Sequence, residues 1–150
     1  MQLYVDADAC PVKAEVLRVA ERHGLTVHMV ANSWMRLDPS PLINRVVVSE
    51  GADAADDWIA ERAGPGDIVI TADIPLASRA IKAGARALGP TGKPFTIDNI
   101  GMALAMRNLM ADLRETGSMQ GTNPVFTPRD RSTFLQVLEQ LIQTLKRAGT

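Results

Sequence analysis

Asp6 and Asp8 in VDADACPV, Asp53 and Asp56 in GADAADDW, and Asp73 in IVITADIPLA each fall at the end of an apolar run or where the following helix should begin. Open α/β sheets bind ligands outside the carboxyl ends of their strands, so these carboxylates are set to share one rim. Gathered there, they repel and raise one another's pKa until a cation neutralises them. Carboxylate oxygens without histidine suit a hard ion, Mg²⁺ or Mn²⁺, better than zinc or copper. Such an ion activates water and stabilises charge on a phosphoryl group, which points to phosphodiester hydrolysis.

Each aspartate also has a plainer reading. If the first strand stays extended through Ala7, Asp6 and Asp8 project from one side and see one cation; otherwise Asp8 is an N-cap. In the helix expected from Asp53, residues Ala52, Ala55, Ile59 and Ala63 mark the buried stripe. Asp56 lies about 55° from its centre, Asp53 about 115° and Asp57 about 155°, so Asp56 is the better ligand and Asp57 a solvated charge. Asp53 with Asp56 also approximates a capping box. Capping does not explain why a further strand ends at Asp73, with Thr71 on the same side and Ile74-Pro75 opening the next helix. The signal is convergence. The expected metal ligands are Asp6, Asp53, Asp56 and Asp73, and the expected catalytic residues are Asp6, Asp8 and Asp73, with Asp8 a ligand or a water-orienting group. Asn32, Ser33 and Arg36 follow the second strand and are the expected phosphate contacts, with Lys13, Arg79 and Lys93 in reserve.

The elements that must position these groups alternate. Gln2 to Asp6, Leu25 to Val30, Arg45 to Val48, Asp67 to Thr71 and Ala85 to Leu88 read as strands, apolar and rich in β-branched residues. Helices are expected after Pro11, from Asp53 to Ala63 and from Pro75 to Ala83. The fold class is therefore α/β: a mostly parallel open sheet of about five strands in a three-layer, Rossmann-type arrangement, with helices on both faces. Two further helices pack on it. One is capped by Thr96 and runs to about Thr116 with Ile100, Ala103, Leu104, Met106, Leu109, Met110 and Leu113 as its apolar stripe; the other runs from Arg131 to about Arg147. A Gly/Asn/Pro-rich loop from Gly117 to Pro128 joins them.

At 150 residues, 46% hydrophobic and 22% charged, the chain suits one globular domain with its own core. No apolar run approaches the ~20 residues of a membrane span, and no leader pattern opens the chain, so the expected location is the cytoplasm and no membrane partner is expected. The lone Cys10 excludes an internal disulfide and reads as a small buried residue, and His23 and His28 read as solvent-facing or strand-edge residues. A net charge of −1 gives no bulk attraction to nucleic acid, so binding would need Lys82, Arg86, Arg129, Arg131, Lys146 and Arg147 to cluster, helped by the bound ion. Trp34 and Met35 offer a base-stacking surface or, more plainly, burial or a dimer contact. A homo-oligomer is compatible with all of this.

Taken together, VDADACPV, VANSWMR, GADAADDWI, GDIVITADIPLA and TPRDRSTF resemble the YaiI/YqxD family of bacterial proteins across essentially the whole chain. That family is similar to PIN-like domains, many of which are Mg²⁺- or Mn²⁺-dependent ribonucleases. The resemblance implies a PIN-like fold, a nuclease or other phosphodiester hydrolase, and RNA or another nucleic acid as partner. It places Asp6 and Asp8 in the first acidic motif, Asp53 and Asp56 in the second, and Asp73 in the third. Two rival readings are a catalytically silent RNA-binding or protein-interaction module, and a haloacid-dehalogenase-like phosphatase with Asp6 as nucleophile. The phosphatase needs a late Gly-Asp motif, and Gly66-Asp67 precedes its strand, at the wrong end of the sheet.

Overall fold

A computed structural model of the chain describes residues 1–37, 40–49, 51, 53–115 and 125–148. Strand β1 (Gln2–Asp6) is followed by a short 3-10 turn (Ala7–Ala9) and helix α1 (Lys13–His23), then β2 (Thr26–Ala31), β3 (Ile43–Val47), α2 (Ala54–Arg62), β4 (Ile68–Ile70), α3 (Ile74–Lys82), β5 (Arg86–Leu88), β6 (Pro94–Phe95), α4 (Ile97–Glu115) and α5 (Pro128–Ala148). The sheet order is β3-β2-β1-β4-β5-β6, parallel except for the antiparallel β5–β6 pair. The expected class and layering hold. The extra strand is β6, a two-residue return after a tight turn, too short to show a periodic pattern.

Alternation along the strands divides the core in two. Leu3 and Val5 of β1, Val27 and Met29 of β2, and Ile68 and Ile70 of β4 pack against Val12, Val16 and Val19 at α1 and Phe134, Leu138 and Ile142 of α5. On the opposite face Tyr4, Val30, Val69 and Ala87 meet Ala55 and Ile59 of α2 and Leu76, Ala77 and Ala80 of α3. Strands buried on both faces read as continuous apolar runs, which is why β1, β2 and β4 were recognisable without strict alternation.

Element ends follow local chemistry. Pro11 lies in the turn before α1, whose first residue is Lys13, and the helix closes on Gly24 in the left-handed conformation (φ 67°). Helix α5 begins earlier than Arg131 because Thr127 and Asp130 cap it reciprocally: the Thr127 N–H donates to Asp130 at 3.0 Å and the Asp130 N–H to the Thr127 hydroxyl at 3.1 Å. One residue on, Arg131 reaches the buried Glu15 carboxylate of α1 and the Pro11 carbonyl, tying the last helix to the first. Helix α4 behaves otherwise: it packs beside α3 with Ile100 against the core, and Met102 (75% exposed), Met106 and Leu109 face outward. Thr116 and most of the expected 117–128 loop lie outside the described residues.

The β5–β6 turn is fixed by Gly92, at φ 89° with the start of α5 pressed against it; a Cβ there would stand 2.8 Å from Thr133 Cγ2 and 2.9 Å from the Phe134 nitrogen. Gly64 has neither positive φ nor a neighbour within 4 Å of such a Cβ. Gly92→Ala is therefore expected to lower unfolding stability by about 2 kcal/mol or more, from left-handed strain plus a backbone clash, and Gly64→Ala to change it by no more than about 0.5 kcal/mol. Urea unfolding of the two variants measures the contrast; equal stabilities would contradict this account of the turn.

Candidate functional site

The strand order reverses between β1 and β4, since β2 and β3 lie to one side of β1 and β4, β5 and β6 to the other. This switch point is where an open α/β sheet leaves a crevice at its carboxyl edge. Asp6 ends β1, and Thr71 to Asp73 follow β4. Asp6 shares the parity of Tyr4, and Thr71 that of Val69, so both belong to the α2/α3 face. The two are joined directly, the Thr71 hydroxyl donating to Asp6 Oδ2 at 3.0 Å. That hydroxyl also accepts from the Asp73 N–H at 2.9 Å, which sets the entry of α3. Thr71 is buried and its partners half-buried.

Asp73 is the N-cap of α3: its Oδ1 accepts from the Leu76 N–H at 3.2 Å, with Pro75 in the first turn. It nonetheless bears on α2, since a hydrogen bond to Asp73 is among the causes that favour the protonated form of Asp56. Burial first, then the charges of Asp73 and Asp6, that hydrogen bond and the Asp53 charge push the Asp56 carboxyl up to about 7. Burial also raises Asp6, with Asp73 and Asp8 adding to the rise and the Thr71 hydrogen bond opposing it. Asp6, Asp56 and Asp73 thus form one electrostatic unit drawn from three separate segments.

The remaining predicted residues sit further out. Asp53 is the exposed N-cap residue of α2 and makes no side-chain cap, so the capping-box reading of Asp53 with Asp56 fails; its carboxylate contributes the weakest of the charges acting on Asp56. Asp57 faces out, as its wheel position requires, and holds Arg79 at 2.7 Å, which removes Arg79 from the reserve of phosphate contacts. Asp8 departs from the extended-strand premise: the 3-10 turn carries it off the strand, where both its oxygens accept from the Asn32 N–H at 2.9 and 3.2 Å. It is not an α1 cap either, since α1 starts after Val12. Asn32 is further held by its amide to the Ser49 carbonyl at 3.1 Å, while Ser33 and Arg36 are exposed on the same rim. Lys13 donates to the Ala7 carbonyl at 3.0 Å. Trp34 is 67% exposed with Arg45 5.5 Å above its ring, so of the two plainer alternatives, burial or a dimer contact, burial does not hold.

Cys10 is half-buried and burial pushes its thiol up; it lines a cavity of about 30 Å³ with Asp6, Thr71, Ala72 and Pro90, room for a water. His28 stacks on Tyr4 and bonds Gln2 and Asn44, and His23 contacts Glu139 and Lys146, so neither imidazole approaches the carboxylates. Asp67 accepts from the Gln2 and Gly64 N–H groups at the opposite end of the sheet, which removes the late acidic residue a haloacid-dehalogenase-like phosphatase needs.

Among the described residues no three His, Cys, Asp or Glu side chains stand in ion-holding geometry. Two of the carboxylates accept from protein donors, Asp6 from the Thr71 hydroxyl and Asp73 from the Leu76 N–H, while Asp56 is raised by burial and by the charges of Asp73 and Asp6. As a donor set the group is all hard oxygen, and the proton held by Asp56 marks a surplus of negative charge that a cation would relieve in its place. Sequence reasoning missed a groove beside this crevice, lined by α4 and the β5–β6 turn, whose one legible sign is the methionine-rich stripe of α4.

A profile of the family described as "Uncharacterized BCR, YaiI/YqxD family" matches residues 4–144. Relatives named UPF0178 protein are similar over their length. The protein of Parvibaculum lavamentivorans is 64% identical over 146 residues, 97% of this chain and 96% of its own. That of Nitrobacter winogradskyi is 62% identical over 148 residues, 99% and 94% of the two chains. One from Rhodopseudomonas palustris is 62% identical over 146 residues, 97% and 92%. No solved structure matches the chain.

The elevated Asp56 carboxyl has a pH signature. The folded protein keeps up to about pH 7 a proton that the unfolded chain releases near the ordinary carboxylate value, so the stability it contributes is fully present below that value and is lost as pH rises through about 7. Metal-free protein is expected to lose melting temperature across this interval, and Asp56→Asn, which cannot ionise, to show a shallower decline. Thermal melts in EDTA from pH 4 to pH 8 measure both slopes; parallel curves would show that Asp56 does not share charge with Asp6 and Asp73.

Proposed function

The chain belongs to the YaiI/YqxD family, and from that premise we propose that it is a Mg²⁺- or Mn²⁺-dependent phosphodiesterase, acting on RNA or a related phosphodiester through a PIN-like carboxylate site. One observation carries this reading: at the switch point of the sheet Asp6 and the Asp73 backbone converge on the Thr71 hydroxyl, and burial with the charges of Asp73 and Asp6 pushes the nearby Asp56 carboxyl up to about 7. Structural carboxylates are normally paired with a cation or with donors that lower the pKa, whereas Asp6 and Asp56 are both raised.

Asp6, Asp56 and Asp73 would hold the ion, with Asp53 at the outer edge. When bound, a divalent ion supplies Lewis acidity toward a phosphoryl oxygen and lowers the pKa of water. The chain's own residues have separate tasks. Thr71 fixes Asp6 and the Asp73 backbone with one hydroxyl, so the ends of β1 and β4 keep a constant separation. Asp8 steers the chain after β2 by gripping the Asn32 N–H, which sets Ser33 and Arg36 on the rim, where a phosphate oxygen would meet them. Asp56, whose carboxyl is pushed up to about 7, would give up its proton where an ion is bound.

A second reading, a binding module without turnover, draws support from the hydrogen bonds that already occupy Asp8 and one oxygen of Asp73. Calorimetric titration with MnCl₂ separates the readings. Wild type is expected to bind, and Asp6→Asn and Asp73→Asn to bind about tenfold more weakly or worse. Unchanged binding in both variants would refute the metal assignment. Incubation with single-stranded and structured RNA at low ionic strength, where a modest basic surface is least screened, should then give Mn²⁺-dependent cleavage that Asp6→Asn abolishes. Metal binding with no cleavage would favour the binding module.

A further inference from the structure

Beside the carboxylates lies a groove of about 710 Å³ that the phosphodiesterase reading leaves unused. Asn99, Met102, Ala103, Met106, Arg107 and Met110 of α4 form one wall, spaced three and four apart, and Ile74, Pro90, Lys93 and Phe95 are among those opposite. Its size and mixed lining are those of a small-molecule site: mostly apolar, with a few placed polar groups.

Three properties specify the occupant. The groove adjoins the switch-point crevice, since Ala72 and Pro90 line both it and the small cavity bordered by Asp6 and Thr71. Its charged lining is wholly cationic, Lys93 and Arg107, on a chain of net charge −1. Among the described residues neither makes an ion pair, whereas Arg22, Arg79 and Arg131 are committed to Glu139, Asp57 and Glu15. Apart from these cations, Asn99 and Thr91, its side chains are thioethers, a phenyl ring and aliphatic carbon, with Met102 75% and Met106 49% exposed. Flat, polarisable groups pack well on methionine and phenylalanine, and a phosphate is the complement of paired lysine and arginine. A ligand with a flat ring at one end and a phosphate leading to the carboxylates meets all three.

We propose that this groove is a subsite for a nucleobase of single-stranded nucleic acid, with Lys93 and Arg107 taking the adjoining phosphate so that the next phosphodiester lies over Asp6 and Asp73. The proposal rests on the phosphodiesterase reading for its direction, while the groove's own binding is independent of the ion. An acidic peptide would match the cations but has no reason to lead into a carboxylate crevice. A second copy of the chain would cover α4 without requiring Lys93.

Fluorescence anisotropy with a 5′-fluorescein single-stranded RNA decamer in EDTA tests the groove without metal, on the full chain. Phe95→Ala and Met106→Glu are each expected to weaken binding about tenfold, the scale of losing one stacked base. Lys93→Ala with Arg107→Ala should weaken it further and flatten its salt dependence. An abasic decamer of equal charge should bind more weakly than RNA to wild type, and equally to wild type and Phe95→Ala. Asp6→Asn should leave decamer binding in EDTA intact, so a failed metal reading and a failed groove are told apart. Because Met106, Lys93 and Arg107 are exposed, these variants should keep the wild-type melting temperature. RNA binding unmoved by the groove variants, or absent in wild type, would overturn the proposal. So would a change of oligomeric state by sedimentation with RNA affinity unaltered, which would assign α4 to self-association.

Discussion

The site depends on one constraint: like charges gathered at one half-buried rim raise one another's pKa unless a partner neutralises them. Asp6, Asp56 and Asp73 come from a strand end, the first turn of α2 and the cap of α3, and no lysine, arginine or histidine is hydrogen-bonded to any of them among the described residues. The fold answers with a proton on Asp56 and a hydroxyl on Asp6. Both are weak solutions beside a divalent cation, whose field acts on every carboxylate at once. The surrounding core makes the crowding unavoidable. Leu3, Val5, Ile68 and Ile70 are fully buried under α1 and α5, and Ile59 and Leu76 bury α2 and α3 against the other face, so the carboxylates cannot retreat without unpacking the sheet.

Much of this was legible in the sequence because parallel sheets simplify the problem. A strand covered on both faces is an apolar run, and the residue that ends it is forced to the rim whatever its side chain. Asp6 and Asp73 could therefore be placed from the runs LYV and IVI alone, and Asp56 from its angle to the Ala55–Ile59 stripe. What failed were statements about single turns. For Asp8 the alternatives are an extended strand or an N-cap, and neither holds: three residues of 3-10 helix redirect it to the Asn32 N–H, an interaction between segments 24 residues apart that no local pattern encodes. Of the two readings of Asp53, ligand or cap, the cap fails. Local propensity fixes which residues can turn, and tertiary partners decide where the turn points.

Helix α4 marks a different limit. Its apolar positions recur at helical spacing, and periodicity alone reads such a stripe as core. The stripe is wider than the space available. Helix α3 already covers the sheet, and α4 is held at the edge by Ile100 and by the Thr96–Asn99 capping exchange, leaving methionines along an open groove. Amphipathicity shows that a face avoids water; it does not show whether protein or ligand covers it.

The two ends of the chain are joined for a reason that bears on the site. Arg131 of α5 reaches Glu15 and the Pro11 carbonyl, directly below the segment 7–12 that carries Asp8 and Cys10 away from β1. Gly92 lets the β5–β6 turn press on Thr133 and Phe134 of that same helix, and Pro90 and Lys93 in or beside that turn line the groove. One helix thus braces both the loop after β1, on the carboxylate side of the crevice, and the turn that forms the groove wall. The TPRDRSTF segment, which has no group near the carboxylates, therefore acts by holding two loops in register. A sequence feature remote from the chemistry can be as restrictive as the acidic motifs, because the distance between crevice and groove is set by what both are anchored to.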